Sequence, residues 1–493
     1  MRREPLTCAI VAFLLGGALL AGAEAWNPRK KFTLVYNVNS AGYIDVCGCK
    51  HKEVRQGSLT RRSSFLKQLR STGRDVLFLD GGSALFTIKD RIKPAEEAEA
   101  FRKAELIVAT YNRMGYRAMA VGTYDLAIGL DKLLELEKKA RFTFLSANLR
   151  NEATGELYFR PHLVEEVAGV RVGIIGLSSQ LGKAFAEKNA PGAVVDDPIE
   201  ATKKSISELD GKVDLLIVLS HLLEENTFAL LDELDAIDIA IDPFIQYGNH
   251  HTWIKDHEWV DYRNDTVLLR SDGQGARLGV LDIEMVDPKK GLVGVARLID
   301  IEDRIDEGTA TDAEKALLDG AGDLNLFEFN RVSLEPHHLT DPDIDHLIEE
   351  WKKNVDPSRV AALEAALPHK GDFLTTEKCS GCHEAQYTFW KGTKHAHALA
   401  TLEANGDQNR FDCVGCHTLG YGLAYLDTTS IGKFADVQCE SCHGTNPAHA
   451  EEPKAHPYAR IEKEACLVCH NKEQTLKDFN FFQARRQVAC PKS

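Results

Sequence analysis

The chain has 493 residues, enough for two or three domains, and its 44% hydrophobic and 27% charged residues are ordinary for a soluble globular protein. The formal net charge of −15 disfavours nonspecific binding to nucleic acid, which depends on a basic surface. Acidic residues are concentrated between 301 and 370. Such a region serves solubility, and it also suits a basic protein partner.

Residues 1–25 have the pattern of an export signal. Arg2 and Arg3 precede an apolar run from 10 to 20, and Ala23-Glu-Ala25 is typical of a cleavage site. The run is shorter than the roughly 18 apolar residues that a membrane span needs. We therefore expect the mature protein to be periplasmic or otherwise exported. An uncleaved anchor is the alternative, so membrane association is allowed and not required.

Between 26 and 300, short β-rich runs alternate with helical stretches. Several of the runs, such as 172–177 and 214–220, are almost entirely apolar, which is typical of strands buried on both faces of a sheet. This alternation predicts a layered α/β domain. The helical candidates are 63–70, 95–114, 129–139 and 226–234.

The acidic stretch 301–370 is predicted to be a helical connector. Asp341-Pro-Asp supplies an N-cap followed by a proline, which opens a helix that runs through Trp351. A second helix is predicted at 358–367, ended by Pro368. From 371 to 493 the sequence is rich in Cys and His and poor in long apolar runs, so its side chains alone would build only a small core.

Four segments of this last region repeat the pattern Cys-x-x-Cys-His, the attachment signature of c-type haem. The two cysteines form thioether bonds to one macrocycle, and the adjacent histidine reaches the iron. Paired zinc knuckles and disulfides are the alternatives, but neither explains a histidine after every pair. We therefore predict four c-type haems. The attachment residues are Cys379, Cys382, Cys413, Cys416, Cys439, Cys442, Cys466 and Cys469, and the proximal ligands are His383, His417, His443 and His470.

Four further histidines are candidates for the second axial position of these irons. They are His395, His397, His449 and His456. His395 and His397 are two residues apart, so on a helix they point to different sides. We expect His395 and His449 to be distal ligands and keep His397 and His456 as weaker candidates.

The Cys-His region resembles the tetrahaem cytochrome c554 family. The shared features are Trp390 and Lys394-His395-Ala396 after the first motif, Cys-Glu-Ser-Cys-His-Gly with His449 in the third, and His470-Asn471 in the fourth. The resemblance implies a mostly α-helical domain that passes electrons between closely packed haems. It also implies distal roles for His395 and His449 and two axial histidines at most of the haems, and it leaves open whether one iron lacks a distal ligand.

The N-terminal domain resembles the calcineurin-like metallophosphoesterases of the exported 5′-nucleotidase type. The motifs include Leu79-Asp-Gly-Gly-Ser83, Val121-Gly-Thr-Tyr-Asp125 and Leu219-Ser-His221. The resemblance implies a four-layer α/β/β/α sandwich with a two-metal site at the strand ends. The expected Asp-x-His is Asn39-Ser-Ala41 here, the bridging Asp is Ser83, and the Asn-His pair is Thr123-Tyr124. Only His221 occupies a ligand position, and the nearby Gly248-Asn-His-His251 cannot replace lost carboxylates.

Cys47-Gly-Cys49-Lys-His51 is a separate motif in the loop after the first strand. It suits a redox pair or a soft metal site with His51, and we favour a structural disulfide, within the pair or to Cys490.

The leading functional hypothesis is an exported multihaem electron carrier whose phosphoesterase-like domain is inactive and acts as a scaffold or docking module. One alternative is a haem oxidoreductase acting on a small nitrogen or sulfur compound at an open iron. The other is an active metal-dependent 5′-nucleotidase-like hydrolase. We expect redox proteins as partners, with basic ones among them, and assign no catalytic residue and no oligomeric state.

Overall fold

The computed structural model describes residues 29–45, 57–86, 92, 97–243, 259–271, 273–335, 337–353, 372–409, 411–426, 431–470 and 479–491. The predicted export signal, the Cys47–Cys49–His51 motif, the predicted helix at 358–367 and the histidines at 250 and 251 lie outside the described residues.

Two mixed sheets form the centre of the N-terminal domain. The first has the order β14-β15-β13-β1-β2-β3-β4, and the second has the order β11-β12-β10-β9-β7-β6. In the described residues the strands are β1 (Lys30–Asn37), β2 (Val76–Asp80), β3 (Ala118–Ala120), β4 (Thr143–Leu145), β5 (Leu149–Asn151), β6 (His162–Val167), β7 (Val170–Ser178), β8 (Ala193–Val195), β9 (Leu215–His221), β10 (Ile239–Asp242), β11 (Val260–Arg263), β12 (Thr266–Arg270), β13 (Arg277–Met285), β14 (Leu292–Gly294) and β15 (Asn325–Ser333).

The two sheets pack face to face, and helices cover their outer faces. Leu34 of β1 and Leu79 of β2 face Ile217 of β9 and Ile241 of β10 in one buried cluster between the sheets. Because alternate strand residues point to opposite faces, Phe78 of β2 instead belongs to a second cluster with the helices. The helices of this domain are α1 (Leu59–Ser71), α2 (Glu97–Met114), α3 (Leu130–Glu137), α4 (Lys183–Asn189), α5 (Pro198–Leu209) and α6 (Glu224–Glu233). The predicted four-layer α/β/β/α arrangement is confirmed.

The sheet extends beyond residue 300, so the predicted domain boundary there cuts through folded structure. β15 pairs antiparallel with β13 over eight residues and parallel with β14. The connector also contains α7 (Val295–Asp306), α8 (Asp312–Asp319) and α9 (Pro342–Lys353). Cross-strand pairing with β13 is a long-range interaction, which is why the local composition of this acidic stretch did not reveal β15.

Helix α9 is fixed to α1 by a buried N-cap. The Asp341 carboxylate accepts hydrogen bonds from Ser63 Oγ at 2.5 Å and from Lys67 Nζ at 2.8 Å, and Thr60 Oγ1 accepts one from the Asp341 N–H at 2.7 Å. Ile344, Ile348 and Trp351 of α9 are buried in the cluster formed by α1, α2 and the first sheet. Helix α9 is therefore part of the N-terminal domain.

The C-terminal region consists of short helices around a small core. The helices are α10 (Thr375–Ser380), α11 (Glu384–Lys391), α12 (Ala398–Glu403), α13 (Phe411–His417), α14 (Cys439–His443), α15 (Pro447–Glu451), α16 (Lys463–Leu467) and α17 (Phe481–Val488). The apolar cluster here contains Phe373, Val414, Tyr425 and Phe434 with a few neighbours. Tyr421 packs against the N-terminal core, and Lys352 at the end of α9 pairs with Asp407 at 3.4 Å. No helix among the described residues has the length and hydropathy to cross a bilayer.

Candidate functional site

The strand ends of the two sheets meet where the phosphoesterase resemblance places its metal ions. Ser83, after β2, and His221, at the end of β9, are both fully buried, and their Oγ and Nε2 atoms are hydrogen-bonded at 2.8 Å. A Cβ atom on Gly122 would lie 2.4 Å from Ser83 Oγ and 2.7 Å from His221 Nε2. The serine and histidine are thus bonded directly to each other inside a closely packed cage.

Asp125 is committed to backbone groups around the same turn. Its carboxylate accepts hydrogen bonds from the N–H groups of Ser83, Ala84, Leu85 and Gly122, at 2.8 to 3.0 Å. Burial raises the pKa of this carboxyl to about 7, against the effect of the N–H donors. Its role in this structure is to hold the Ser83 turn.

Asp80 belongs to a buried polar network beneath this turn. Its carboxylate accepts hydrogen bonds from Asn37 Nδ2 at 2.5 Å and from the Tyr111 hydroxyl at 2.8 Å, and burial raises its pKa to about 6. The Arg62 guanidinium donates to the hydroxyls of Tyr111 and Tyr116, at 3.2 and 2.8 Å. These bonds satisfy polar groups that would be costly to bury alone, so the network is structural.

The loops around this site retain an unusual backbone. Asn39, Ala41 and Ser83 have positive φ values of 51°, 51° and 52°, which residues other than glycine rarely adopt. The Ala41 N–H donates to Ser83 O at 2.9 Å, which ties the two loops together. Among the described residues, no three Asp, Glu, His or Cys side chains converge as a metal site requires.

In the C-terminal region, the second and third Cys-x-x-Cys-His motifs lie within helices α13 and α14, and the first and fourth begin in the last turns of α10 and α16 and continue as turns with helical hydrogen bonds. We number them motif 1 (379–383), motif 2 (413–417), motif 3 (439–443) and motif 4 (466–470). The N–H of His383 donates to Cys379 O at 3.0 Å, and that of His470 donates to Cys466 O at 2.8 Å. Residues three and four apart share one side of a helix, so the two thiols and the imidazole of each motif face the same way.

In each of two histidine pairs the rings face each other, and the distance between ring centroids is the same in both pairs. The rings of His383 and His449 have centroids 6.1 Å apart and planes within 15° of parallel. The rings of His395 and His470 also lie 6.1 Å apart, at 49°. Two imidazoles on opposite sides of one metal, with bonds of about 2 Å, have ring centres roughly 6 Å apart. Both pairs therefore fit a six-coordinate haem iron.

The environment of the His395 and His470 pair favours the neutral imidazole, the form that binds metal. Burial lowers the pKa of both His395 and His470. His449 Nδ1 is hydrogen-bonded to His456 O at 2.9 Å, which orients the ring and leaves its Nε2 for the iron.

The other two motif histidines have different surroundings. His417 Nδ1 is hydrogen-bonded to Ala398 O at 2.7 Å, and the His443 ring lies 5.6 Å from the Tyr458 ring. Within the described residues, neither of them has an imidazole ring facing it.

The two weaker distal candidates are placed away from the facing pairs. His397 is exposed and its Nε2 is hydrogen-bonded to Lys391 O at 3.2 Å. His456 is also exposed, and its backbone oxygen supports His449. Neither ring faces a motif histidine, so an axial role for either stays an untested prediction.

The cysteine sulfurs, which stand for the thioether sulfurs of attached haem, bring the motifs together in pairs. The side chains of Cys379 and Cys439 lie next to each other, as do those of Cys416 and Cys469 and those of Cys442 and Cys466. Motif 3 therefore lies next to motifs 1 and 4, and motif 2 lies next to motif 4. None of the nine described cysteines is in a disulfide with another described cysteine.

Comparison with known proteins separates the chain into two parts. Residues 378–444 match the family model for cytochrome c554 and c-prime. In the N-terminal region, 229 residues are 28% identical to a 5′-nucleotidase of Vibrio cholerae serotype O1, covering 45% of this chain and 39% of that protein. Another 165-residue match is 31% identical to protein UshA of Salmonella pullorum, covering 32% of this chain and 28% of that protein.

The chain joins a 5′-nucleotidase-like domain to a cytochrome c554-like segment. It spans well under half the length of these curated relatives. Among solved structures, a 5′-nucleotidase precursor of Thermus thermophilus aligns with a TM-score of 0.49 at 19% identity, covering 66% of this chain and 58% of that one.

The sequence singled out Trp390 and the motif that contains Glu440, but it did not predict how these residues support the cytochrome c554-like segment. Trp390 Nε1 donates to Val437 O at 2.8 Å, and Glu440 accepts hydrogen bonds from the start of α10. In the 5′-nucleotidase-like domain, sequence reasoning assigned no role to Arg62, which is buried and donates hydrogen bonds to two tyrosines. A long polar side chain among apolar neighbours in α1 was the available signal, because a buried charge needs partners.

Proposed function

We propose that this protein is an exported c-type cytochrome that carries electrons through four covalently attached haems. The observation that carries the proposal is the pair of facing histidine sets, His383 with His449 and His470 with His395, each 6.1 Å apart. The four Cys-x-x-Cys-His turns would hold the groups, and bound haem would supply reversible one-electron chemistry. The cytochrome c554-like match over residues 378–444 supports the same function.

The test is a haem count followed by spectroscopy of purified protein made in an exporting host. Intact mass should show four attached haems. Electron paramagnetic resonance of the oxidised protein should show at least two low-spin haems, and His449→Ala should convert one of them to high spin. His397→Ala, a matched change at an exposed histidine, should leave the spectrum unchanged. A protein without covalent haem would refute the proposal.

We further propose that the 5′-nucleotidase-like domain is not a catalyst and serves as a scaffold or docking module. The hydrogen bond between Ser83 and His221 supports this, because both side chains turn to each other where the resemblance expects metal ligands. Elemental analysis should find no Mn, Zn or Fe beyond haem iron, and nucleotide and sulfate esters should not be hydrolysed. Stoichiometric extra metal together with ester turnover would restore the hydrolase hypothesis.

A second candidate function is oxidation or reduction of a small nitrogen or sulfur compound at an open iron. It is favoured by the surroundings of His417 and His443, which lack a facing imidazole within the described residues. A high-spin ferric signal in the wild-type protein that shifts on adding nitrite or sulfite would support it. Four low-spin signals would favour the electron carrier.

A further inference from the structure

The segment 436–440, which leads into motif 3, is hydrogen-bonded to two parts of the chain that carry haem residues. On one side, the Val437 N–H donates to His395 O at 3.1 Å, and Trp390 Nε1 donates to Val437 O at 2.8 Å. The Leu399 N–H donates to Asp436 Oδ1 at 2.9 Å. These bonds tie the segment to the stretch that presents His395.

On its other side, the segment holds the beginning of α10, the helix of motif 1. Glu440 is a buried residue, with 4% of its surface exposed. Its Oε1 accepts a hydrogen bond from the Leu374 N–H at 3.2 Å, and its Oε2 accepts one from the Thr375 N–H at 2.8 Å. Glu440 lies between the two cysteines of motif 3, so one motif directly supports the other.

A second set of bonds runs between the same two helices. The Thr376 N–H donates to Gln438 Oε1 at 2.8 Å, and the Cys439 N–H donates to Thr376 Oγ1 at 3.3 Å. Both Thr376 and Gln438 are buried. The helices of motifs 1 and 3 are therefore joined by at least four hydrogen bonds, and the Cys379 and Cys439 sulfurs meet beside them.

Thr375 shows that this junction is held against local strain. Its φ is +68°, and a β-branched residue in the left-handed region is a rare outlier. Such strain persists only where the surroundings fix the residue, and it concentrates at functional positions. The group that fixes Thr375 is the Glu440 carboxylate, through the N–H of the strained residue itself.

We propose that Glu440 is a positioning residue that fixes the spacing of the haems on motifs 1 and 3. The two backbone N–H donors support the ionised form of its carboxylate, which would favour the ferric state of that pair over the haems of motifs 2 and 4. The proposal rests on the proposed function, since it requires attached haem. Haem attachment requires only the two cysteines and the histidine of the signature, so it does not explain a glutamate at position 440.

The test compares Glu440→Gln with Glu384→Gln, which removes an exposed carboxylate directly after motif 1. Glutamine keeps the size of the side chain but loses the charge and one of the two acceptors. We expect Glu440→Gln to raise two of the four reduction potentials by about 59 mV each, which is a tenfold change in the equilibrium constant for one-electron reduction. We also expect it to weaken the magnetic interaction between those two haems. The other two potentials should stay unchanged, and Glu384→Gln should change none.

The haem count of the wild-type protein separates failure of the inference from failure of the proposed function. If four haems are present and Glu440→Gln shifts no potential, or shifts all four equally, the inference is refuted. If Glu440→Gln yields little holoprotein, Glu440→Gln with Thr375→Gly should restore the yield, because glycine adopts φ of +68° without strain. Raised potentials of two haems in that double variant would support the inference, and unshifted ones would overturn it.

Discussion

At the scale of single residues, the contact between Ser83 and His221 has a measurable contribution to stability. Ser83→Ala removes the hydrogen bond that the buried His221 Nε2 makes with the serine, and losing one partner of a buried hydrogen bond costs about 1–3 kcal/mol. Alanine experiences the same positive φ, so backbone strain does not change. Urea unfolding should show this loss, while the exposed Ser71→Ala should stay within about 0.5 kcal/mol of wild type. Equal stability of the two variants would contradict a structural role for the pair.

Asp238 gives the N-terminal domain a pH-dependent stability. Its carboxylate accepts one hydrogen bond, from the Leu216 N–H at 2.7 Å, and burial raises its pKa to about 6. A folded-state pKa above the unfolded one means that the stabilising contribution is present at low pH and is lost as pH rises. This loss should occur between about pH 4 and pH 7.

Asp238→Asn tests that dependence, because the amide keeps an acceptor and carries no charge. The stability of the variant relative to wild type, measured as the difference in the free energy of unfolding, should be about 1–2 kcal/mol greater at pH 7 than at pH 4.5. Asp235→Asn, at an exposed position of the same loop, is the control for loss of a charge. A difference that does not grow with pH would show that Asp238 is not the group responsible.

At the scale of elements, the end of the N-terminal domain can be tested by truncation. A fragment of residues 26–353 keeps β15 and α9, whereas a fragment of 26–300 exposes the edge of β13 and the surface that Ile344, Ile348 and Trp351 cover. We expect the longer fragment to unfold cooperatively in urea and the shorter one to aggregate, because an uncovered strand edge promotes association. A cooperative transition of the shorter fragment would refute the assignment of α9 and β15 to this domain.

The same elements show what the sequence can and cannot predict. The mostly apolar run at 32–36 predicts β1, and the apolar run at 172–177 predicts β7, because strands buried on both faces are rich in apolar residues. β15 alternates apolar and polar residues inside an acidic stretch, and its partner β13 is about forty residues away along the chain, so its sheet membership depends on tertiary pairing. The His383 and His449 rings likewise face each other only in the tertiary structure, so the sequence does not specify the pairing. The haem motifs are contiguous in sequence and can be identified without a structure.

At the scale of the whole molecule, an ion pair links the two parts of the chain. Lys352 of α9 and Asp407 of the cytochrome region are 3.4 Å apart, and their side chains are only 9% and 16% exposed. The two charges of a mostly buried ion pair interact more strongly than those of a surface pair. Removing one partner is costly because the remaining charge is then poorly solvated and has lost its counter-charge. We therefore expect the contact to couple the stability of the 5′-nucleotidase-like domain to that of the cytochrome c554-like segment.

A double-mutant cycle on Lys352→Ala and Asp407→Ala measures that link. We expect each single change to destabilise the protein by about 1–3 kcal/mol and the double change to cost at least about 1 kcal/mol less than the sum. The exposed pair Lys203 and Glu233, at 3.1 Å, is the control and should show coupling below about 0.5 kcal/mol. Additive changes at Lys352 and Asp407 would mean that the two parts of the chain unfold independently of this contact. Strong coupling would mean that the 5′-nucleotidase-like domain stabilises the haem-bearing region through α9, which is the task expected of a scaffold.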